Sequence, residues 1–156
     1  FYYFIILLLL KKTLKKKEIL RGYKVFSRVI TSGKLIKRGN ISFYYFFSSC
    51  KNNNNNNIKI GFAVSKKVNS AVKRNRIKRL LKEYYRLNKD SFYKLAILRK
   101  NILMCVVIYN ANKVDSLKKI NYSLVKLDFD LILQEFENQL KKQIDEKNSN
   151  LINSDV

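Results

Sequence analysis

The sequence predicts an α+β protein, in which helices pack on a small mixed sheet in the order helix, strand, strand, helix, strand, helix. The first observation is a set of aromatic or apolar runs of strand length, at Ile41–Ser49, Ile58–Ser65 and Ile102–Tyr109. The second is a set of apolar residues at helical spacing, which is clearest from Ile77 to Leu87. Because each strand needs a covered face, helices that alternate with strands predict one layered domain.

A short helix is predicted before the first strand. Helical spacing relates four apolar residues that follow a basic lead-in: Tyr23, Phe26, Val29 and Ile30. Gly33 is a natural end for this helix, and residues 34–40 are predicted to be a basic connection that turns at Gly39-Asn40. A second connection, at residues 89–101, shows only a weak helical pattern.

The last predicted helix starts at Leu117 and ends near Lys142. Its apolar residues form one stripe at Leu117, Ile120, Leu124, Leu127 and Leu131, and a rotated second stripe at Leu133, Phe136 and Leu140. Because the two stripes face different directions, we expect the helix to break or kink near Asp130.

The predicted domain covers residues 13–142. Residues 1–12 are predicted to be an apolar extension outside it. The apolar run Phe1–Leu10 is shorter than the roughly 20 residues that span a membrane. Lys11 and Lys12 follow this run, whereas the charges of a signal peptide precede its apolar segment. The asparagines at 52–57 predict a flexible loop inserted between two strands. Residues 143–156 are polar and are expected to form a disordered tail.

The charge of the chain predicts a polyanionic partner. Its 33 Lys and Arg residues against 11 Asp and Glu give a formal net charge of +22. Most of the cations lie in the first 100 residues, and Glu18, Glu83 and Asp90 are the only acids in that part of the sequence. A solvated helix face normally mixes the two signs, and a surface of like charges repels itself. Nucleic acid, an anionic polymer, is therefore the expected partner.

The residue types argue against a catalytic site in this chain. Histidine is absent, and the early acids are too scattered for the carboxylate cluster with which a nuclease holds two metal ions. Cys50 and Cys105 cannot supply the four ligands of a structural zinc site. We expect reduced thiols in a cytoplasmic protein, no catalytic or metal-binding residue and no small-molecule substrate.

Residues Ser65 to Arg79 read S-K-K-V-N-S-A-V-K-R-N-R-I-K-R. This run resembles the bacterial ribonuclease P protein subunit, a family that carries the pattern S-K-K-x-G-x-A-V-x-R-N-R-x-K-R. A weaker resemblance lies upstream, where Phe26, Val29 and Gly33 have the spacing of the family's F-x-x-V-x-x-x-G segment. Two departures stand out: Asn69 replaces the usual glycine, and Tyr109-Asn110 replaces a small residue followed by arginine.

The resemblance implies a fold with a left-handed β-α-β crossover through the basic helix. It also implies a function, as the small subunit of the endoribonuclease that removes the 5′ leader from precursor tRNA. The catalytic RNA subunit would perform the hydrolysis with its own Mg²⁺, and the protein would bind that RNA and the leader. No cofactor held by the protein alone and no membrane are implied.

Two sets of site residues follow from the resemblance and from the chemistry of the side chains. Guanidinium and ammonium groups bind phosphate, and an asparagine amide can bridge the RNA backbone or 2′-hydroxyls. We therefore expect contacts to the RNA from Lys66, Lys67, Arg74, Asn75, Arg76, Lys78, Arg79, Lys82 and Arg86. Aromatic faces stack unpaired bases, so the leader cleft is expected at Phe26, Ile30, Phe43 and Tyr45. Alternating aromatics equally suit a protein core, and the sequence does not assign the two strand faces.

Two other functions fit part of the sequence. The charge alone equally permits a ribosomal or general RNA-binding protein without a processing role. The leading apolar run with Lys11 and Lys12 would fit a protein that binds a membrane surface. Neither alternative accounts for the contiguous pattern from Ser65 to Arg79.

Overall fold

The computed structural model describes residues 13–49, 58–98, 101–111 and 120–152, with side chains except those of Leu98 and 147–152. A 3-10 turn at Lys16–Glu18 is followed by helices and strands in this order: α1 (Tyr23–Ser32), β1 (Lys34–Arg38), β2 (Ile41–Ser48), β3 (Ile58–Val64), α2 (Ala71–Leu87), α3 (Lys89–Leu98), β4 (Ile102–Tyr109) and α4 (Tyr122–Ile152). The predicted α+β class is confirmed.

The strands form a mixed sheet in the order β1-β2-β4-β3. β2 pairs antiparallel with both β1 and β4, whereas β3 and β4 are parallel. Two parallel strands cannot be joined by a tight hairpin, so the chain crosses over between β3 and β4 through α2 and α3. β4, the last strand that the structure describes, lies in the interior of the sheet between β2 and β3.

One side of the sheet, which we call the core face, carries the main hydrophobic core. Alternate residues of the strands point to it, among them Ile36, Phe43, Tyr45, Ile60 and Cys105. Helices α2, α3 and α4 supply the other half of this core. Its centre is aromatic: the rings of Phe136 and Tyr45 are 4.6 Å apart, and those of Tyr84 and Phe129 stack at 4.3 Å.

Among the described residues, the opposite side of the sheet, the α1 face, is covered by the short helix α1 and by Leu20 from the segment before it. Val29 of α1 and Val106 of β4 are buried there, and Phe26, Ile30 and Tyr44 are partly buried around them. α1 packs on β2 and β4. The two faces thus differ in how completely helices cover them.

Two elements were predicted to be connections and are regular structure instead. β1 occupies most of the segment predicted as a basic connection, because its single inward side chain, Ile36, is fully buried while its neighbours are exposed. The weakly helical segment after residue 88 forms α3, whose Phe92 and Ala96 are buried in the core.

The prediction for the last helix is wrong for the first of its two apolar stripes, whereas Phe136 and Leu140 of the second are buried as predicted. α4 is continuous from Tyr122 to Ile152, without a break at Asp130, and extends into the predicted disordered tail. Its buried stripe consists of Val125, Phe129, Ile132, Phe136 and Leu140. Leu124, Leu127 and Leu131, which were expected to pack, are exposed. The first predicted stripe and the observed buried stripe both have helical spacing, and contact with the sheet selects the one that carries Phe129 and Phe136. Leu117, the predicted start of this helix, lies outside the described residues.

Helix α4 is tied to the β1–β2 turn by its polar side chains. The carboxylate of Asp128 accepts a hydrogen bond from the backbone N–H of Asn40 (3.1 Å), and Glu135 forms an ion pair with Arg38. Gly39 has a φ of +50°, and a side chain there would collide with the Asp128 carboxylate. Glycine at this turn therefore lets α4 approach the hairpin closely.

The segment before α1 is anchored along β3. Ile19 pairs with Ile60, and the Leu20 N–H donates to the Ile60 carbonyl at 2.9 Å. Glu18 is almost fully buried, and its carboxylate accepts hydrogen bonds from Lys89 Nζ (2.6 Å) and the Tyr93 hydroxyl (2.8 Å). Burial alone would raise the pKa of Glu18, but these bonds and one from the Lys15 amide outweigh it and lower the pKa.

None of the helices that the structure describes is long and apolar enough to cross a membrane.

Candidate nucleic-acid interface

The helix α2 separates its two sides sharply. Ser70 caps its first turn, since the Ser70 hydroxyl accepts from the Lys73 N–H at 3.4 Å. The inward side chains, Ile77, Leu81, Tyr84 and Tyr85, are fully buried in the core. This burial fixes the rotation of the helix about its axis, so the cations on its other side are presented outward.

The outward side of α2 and the turn before it form what we call the basic face. It consists of seven residues, of which Lys78 is half-buried and the others exposed: Lys66, Lys67, Asn75, Arg76, Lys78, Arg79 and Lys82. The structure therefore brings these predicted site residues together on one accessible surface. A dense, exposed cluster of ammonium and guanidinium groups is suited to binding a phosphate backbone.

Arg74 differs from its neighbours on the helix. It is half-buried, and its Nη1 donates a hydrogen bond of 2.6 Å to the backbone carbonyl of Val68, in the turn before α2. Val68 is itself buried. Part of the guanidinium is thus engaged within the protein, which the sequence pattern did not indicate.

Arg86 is also engaged within the helix. Its guanidinium makes two hydrogen bonds to the carboxylate of Glu83, at 2.9 and 2.6 Å. The pair lowers the pKa of Glu83 and raises the pKa of Arg86 further above neutrality. A two-point contact to Glu83 reduces the capacity of Arg86 to bind phosphate, so the acid marks the end of the basic face.

Backbone hydrogen bonds hold the turn that carries Lys66 and Lys67. The Ser65 N–H donates to the Tyr109 carbonyl at 2.8 Å, which ties the turn to the end of β4. The Val68 N–H then donates to the Ser65 carbonyl at 3.1 Å. Both lysine side chains point into solvent beside the first turn of α2.

The α1 face is a second candidate surface. Phe26 and Ile30, both predicted for the leader cleft, lie on it at the junction of α1 and the sheet. A side chain at Gly61 would overlap the Phe26 ring, so glycine lets that ring lie against β3. On the same face of the sheet, Phe46 of β2 is partly exposed, and the Arg28 guanidinium lies 5.7 Å from the centre of the Phe46 ring.

The prediction that Phe43 and Tyr45 line the same surface is wrong. Both point to the core face, where they are 0% and 2% exposed and pack against Phe136. Successive residues of a strand point to opposite sides, so their neighbours Tyr44 and Phe46 occupy the α1 face instead. Residues 43–47 are all aromatic, so the sequence itself does not show which side of the strand is covered.

The exit of β4 shows what replaces the family's arginine. Asn110 donates from Nδ2 to the Ser42 hydroxyl at 2.8 Å, and its backbone N–H donates to the Asn40 carbonyl at 2.7 Å. Ser42 is buried on the α1 face. Asn110 therefore joins β4 to β2 through its side chain at this end of the surface.

The acids of the described residues are dispersed rather than gathered. No three His, Cys, Asp or Glu side chains in this part of the chain approach one another as metal ligands do. Cys105 is a free thiol buried in the core, and burial raises its pKa well above the usual value. Cys50 lies outside the described residues.

The comparisons with known proteins agree on one family. A family model described as Ribonuclease P matches residues 14–143. The ribonuclease P protein component of Dictyoglomus thermophilum is 32% identical over 114 residues, which are 72% of this chain and 86% of that protein. The component from Pelotomaculum thermopropionicum is 40% identical over 78 residues, 50% of this chain and 65% of that protein.

Some of the matches are shorter. The component from Syntrophus aciditrophicus is 62% identical over 34 residues, which are 22% of this chain and 29% of that protein. The chain thus spans less than two thirds of the length of the Pelotomaculum and Syntrophus relatives.

Solved structures share the fold. The ribonuclease P protein from Thermotoga maritima superposes with a TM-score of 0.57 at 22% identity, over 76% of this chain and 96% of that one. The protein from Staphylococcus aureus superposes with a TM-score of 0.55 at 20% identity, over 75% and 93%. With the family model matched over most of its length, the chain belongs to the ribonuclease P protein family.

Proposed function

We propose that this chain is the protein subunit of a ribonuclease P that processes precursor tRNA. It binds a catalytic RNA subunit through the basic face and holds the 5′ leader of precursor tRNA on the α1 face. The observation that carries the proposal is the basic face itself, a set of accessible cations on a helix whose other side is locked into the core. Membership of the family supports the assignment.

Binding to the RNA subunit rests on charge and geometry. Arg76, Arg79 and Lys82 are exposed at spacings of three residues on α2, so they lie along one side of the helix. Each can neutralise a phosphate and release counterions, so affinity should fall linearly in log salt concentration. A salt-independent affinity would contradict this part of the proposal.

Binding of the leader rests on the side chains of the α1 face that the described residues leave partly exposed. Single-stranded RNA is held by aromatic side chains that stack on bases and by cations that follow its backbone. Tyr44 and Phe46 are partly exposed there, with Arg28 above Phe46 and Lys59 of β3 on the same side of the sheet. The surface therefore offers both kinds of contact to an extended strand.

Hydrolysis is assigned to the RNA subunit. Glu83, the acid at the end of the basic face, is paired with Arg86, which reduces its capacity to hold Mg²⁺. The role of this chain is to bind and orient RNA, and no step of the proposal passes through a metal that it holds.

Reconstitution tests the proposal directly. The chain is combined with its cognate catalytic RNA, and removal of the 5′ leader is measured at low Mg²⁺ concentration. We expect the protein to stimulate processing, and RNA-free protein to cleave nothing. Cleavage by the protein alone, or binding to ribosomal RNA with equal affinity and no stimulation, would overturn the proposal, the latter in favour of a general RNA-binding protein.

A pair of double variants locates the interface. Arg76→Ala with Arg79→Ala removes two exposed charges from α2, and Lys141→Ala with Lys142→Ala removes two exposed charges from α4. Because both double variants remove two positive charges, they differ only in the part of the surface that loses them. The first pair should weaken affinity for the RNA subunit by about tenfold or more and reduce the salt slope by about two, whereas the second should change neither much.

A further inference from the structure

We infer that Arg74 is a positioning residue, which holds the turn before α2 so that Lys66 and Lys67 face the RNA. The inference rests on the proposed function, since it assigns a role within the same interface. Its starting point is the hydrogen bond from Arg74 Nη1 to the Val68 carbonyl, which closes the turn back onto the helix.

The bond links two parts of the interface through a side chain: the turn, which backbone hydrogen bonds tie to β4, and the helix α2. Lys66 and Lys67 lie in the turn, and the remaining cations of the basic face lie on α2. Val68 is buried and its N–H is bonded to Ser65, so holding its carbonyl fixes the chain directly after the two lysines. With the bond, the turn is already ordered in the free protein. Without it, the turn would become ordered only when RNA binds, and the entropy lost at that step would weaken the affinity for RNA.

The chemistry of arginine suits this task. A guanidinium has five N–H donors in a rigid plane, so one can hold a backbone carbonyl while others remain available. A hydrogen bond from a charged donor is also stronger than a neutral one. Lysine at the same position would keep the charge but lose the planar fork, and this difference separates a positioning role from a purely electrostatic one.

Arg76 provides the matched comparison. It lies on the same turn of the same helix, but its side chain is exposed, whereas that of Arg74 is half-buried. The variants Arg74→Lys and Arg76→Lys therefore make the same chemical change at the same net charge. Only Arg74→Lys replaces the guanidinium whose Nη1 bonds to the Val68 carbonyl.

Amide hydrogen exchange of the free protein is the first measurement. In Arg74→Lys, the Val68 amide should exchange about tenfold faster, because the turn opens more readily when a charged hydrogen bond is lost. Arg76→Lys should leave this rate within about twofold of wild type. Equal thermal unfolding midpoints for the two variants confirm that both are folded.

Affinity for the catalytic RNA subunit is the second measurement, arranged as a double-mutant cycle. Lys66→Ala with Lys67→Ala is introduced into wild type, Arg74→Lys and Arg76→Lys. If Arg74 presents the two lysines, their removal should cost at least about threefold less affinity in the Arg74→Lys background. In the Arg76→Lys background the losses should be additive, whatever the separate cost of Arg76→Lys.

The outcomes separate the inference from the proposed function. Unchanged exchange at Val68 in Arg74→Lys, or additive affinities in the Arg74 cycle, would overturn the positioning role even if the wild-type protein binds the RNA subunit tightly. Absence of selective affinity in the wild type would overturn the proposed function, and faster exchange in Arg74→Lys would then show only that Arg74 holds the turn.

Discussion

The two faces of the sheet use alternate residues of the same strands for opposite purposes. On the core face, Phe43 and Tyr45 are enclosed by α2, α3 and α4. On the α1 face, Tyr44 and Phe46 come from the same strand but are covered only in part by α1. Similar aromatic side chains are therefore core on one side and accessible surface on the other, and the helices that pack on each side decide which.

This difference shows that residue type alone does not define a binding surface. An aromatic side chain stabilises the fold where helices exclude water from it, and it can stack on a base where they do not. The following changes test how separate the two roles are.

The largest effect is expected from Phe43→Ala on the core face. Loss of this buried ring, which packs 5.3 Å from Phe136, should lower the free energy of unfolding by about 3–5 kcal/mol. Urea denaturation measures it. Tyr44→Ala is the matched change on the α1 face and should cost about 1–2 kcal/mol, because folding removes less of the apolar surface of Tyr44 from water. Equal losses would mean that the two faces are packed alike.

Lys89→Met tests the segment that connects the faces, in which Glu18 bonds to α3 and Leu20 packs on the α1 face. Leaving Glu18 buried without its cation should cost about 3 kcal/mol in urea denaturation. Adding Glu18→Gln should recover part of this loss, because the uncompensated charge is then removed. A double variant less stable than Lys89→Met would contradict the ion-pair interpretation.

A smaller effect is expected from Phe46→Ala, and it concerns RNA rather than stability. Loss of one stacking ring should reduce the preference of the holoenzyme for precursor tRNA over mature tRNA by about fivefold. Competition binding with tRNAs that carry or lack the leader measures this preference. Phe47→Ala, on the core face of the same strand, should lower stability but leave the preference unchanged. If the two variants behave alike, Phe46 is not a leader contact.

The smallest effect is in the pH dependence of stability. The pKa of Glu18 is lowered in the folded protein, so its contribution is present above the unfolded value of about 4.5 and is lost as pH falls through the folded pKa. Glu18→Gln should therefore be less stable than wild type at pH 6 but lose less stability between pH 5 and 3. Parallel stability curves for the two proteins over this range would contradict the shift.

The sequence predicted the basic helix well because two independent signals coincide there. The apolar spacing from Ile77 placed the buried side, and the cations between those residues had to face outward. β1 was missed because four of its five residues are exposed and only Ile36 packs inward, which leaves no alternation to detect. A strand of this kind is recognisable only by its pairing with β2.

The errors in the aromatic residues and in α4 have one cause. Phe43 and Tyr44 lie on opposite sides of β2, and Leu124 and Val125 lie on different sides of α4. Periodicity assigns residues to one side or the other, but it does not show which side packs against the rest of the protein. That choice depends on contacts between distant parts of the chain. The hydrogen bond of Arg74 to Val68 is of the same kind, since no pattern of charges reveals a carbonyl within its reach.

The interior position of β4 has a consequence for synthesis. β2 and β3 are both translated before β4, yet each pairs with it rather than with the other. Until Tyr109 has left the ribosome, the emerging chain carries the cationic helix α2 beside strand edges that lack their partner, and such edges are prone to aggregate. A chain interrupted before Ile102 would therefore be a positively charged, aggregation-prone fragment rather than a smaller folded domain.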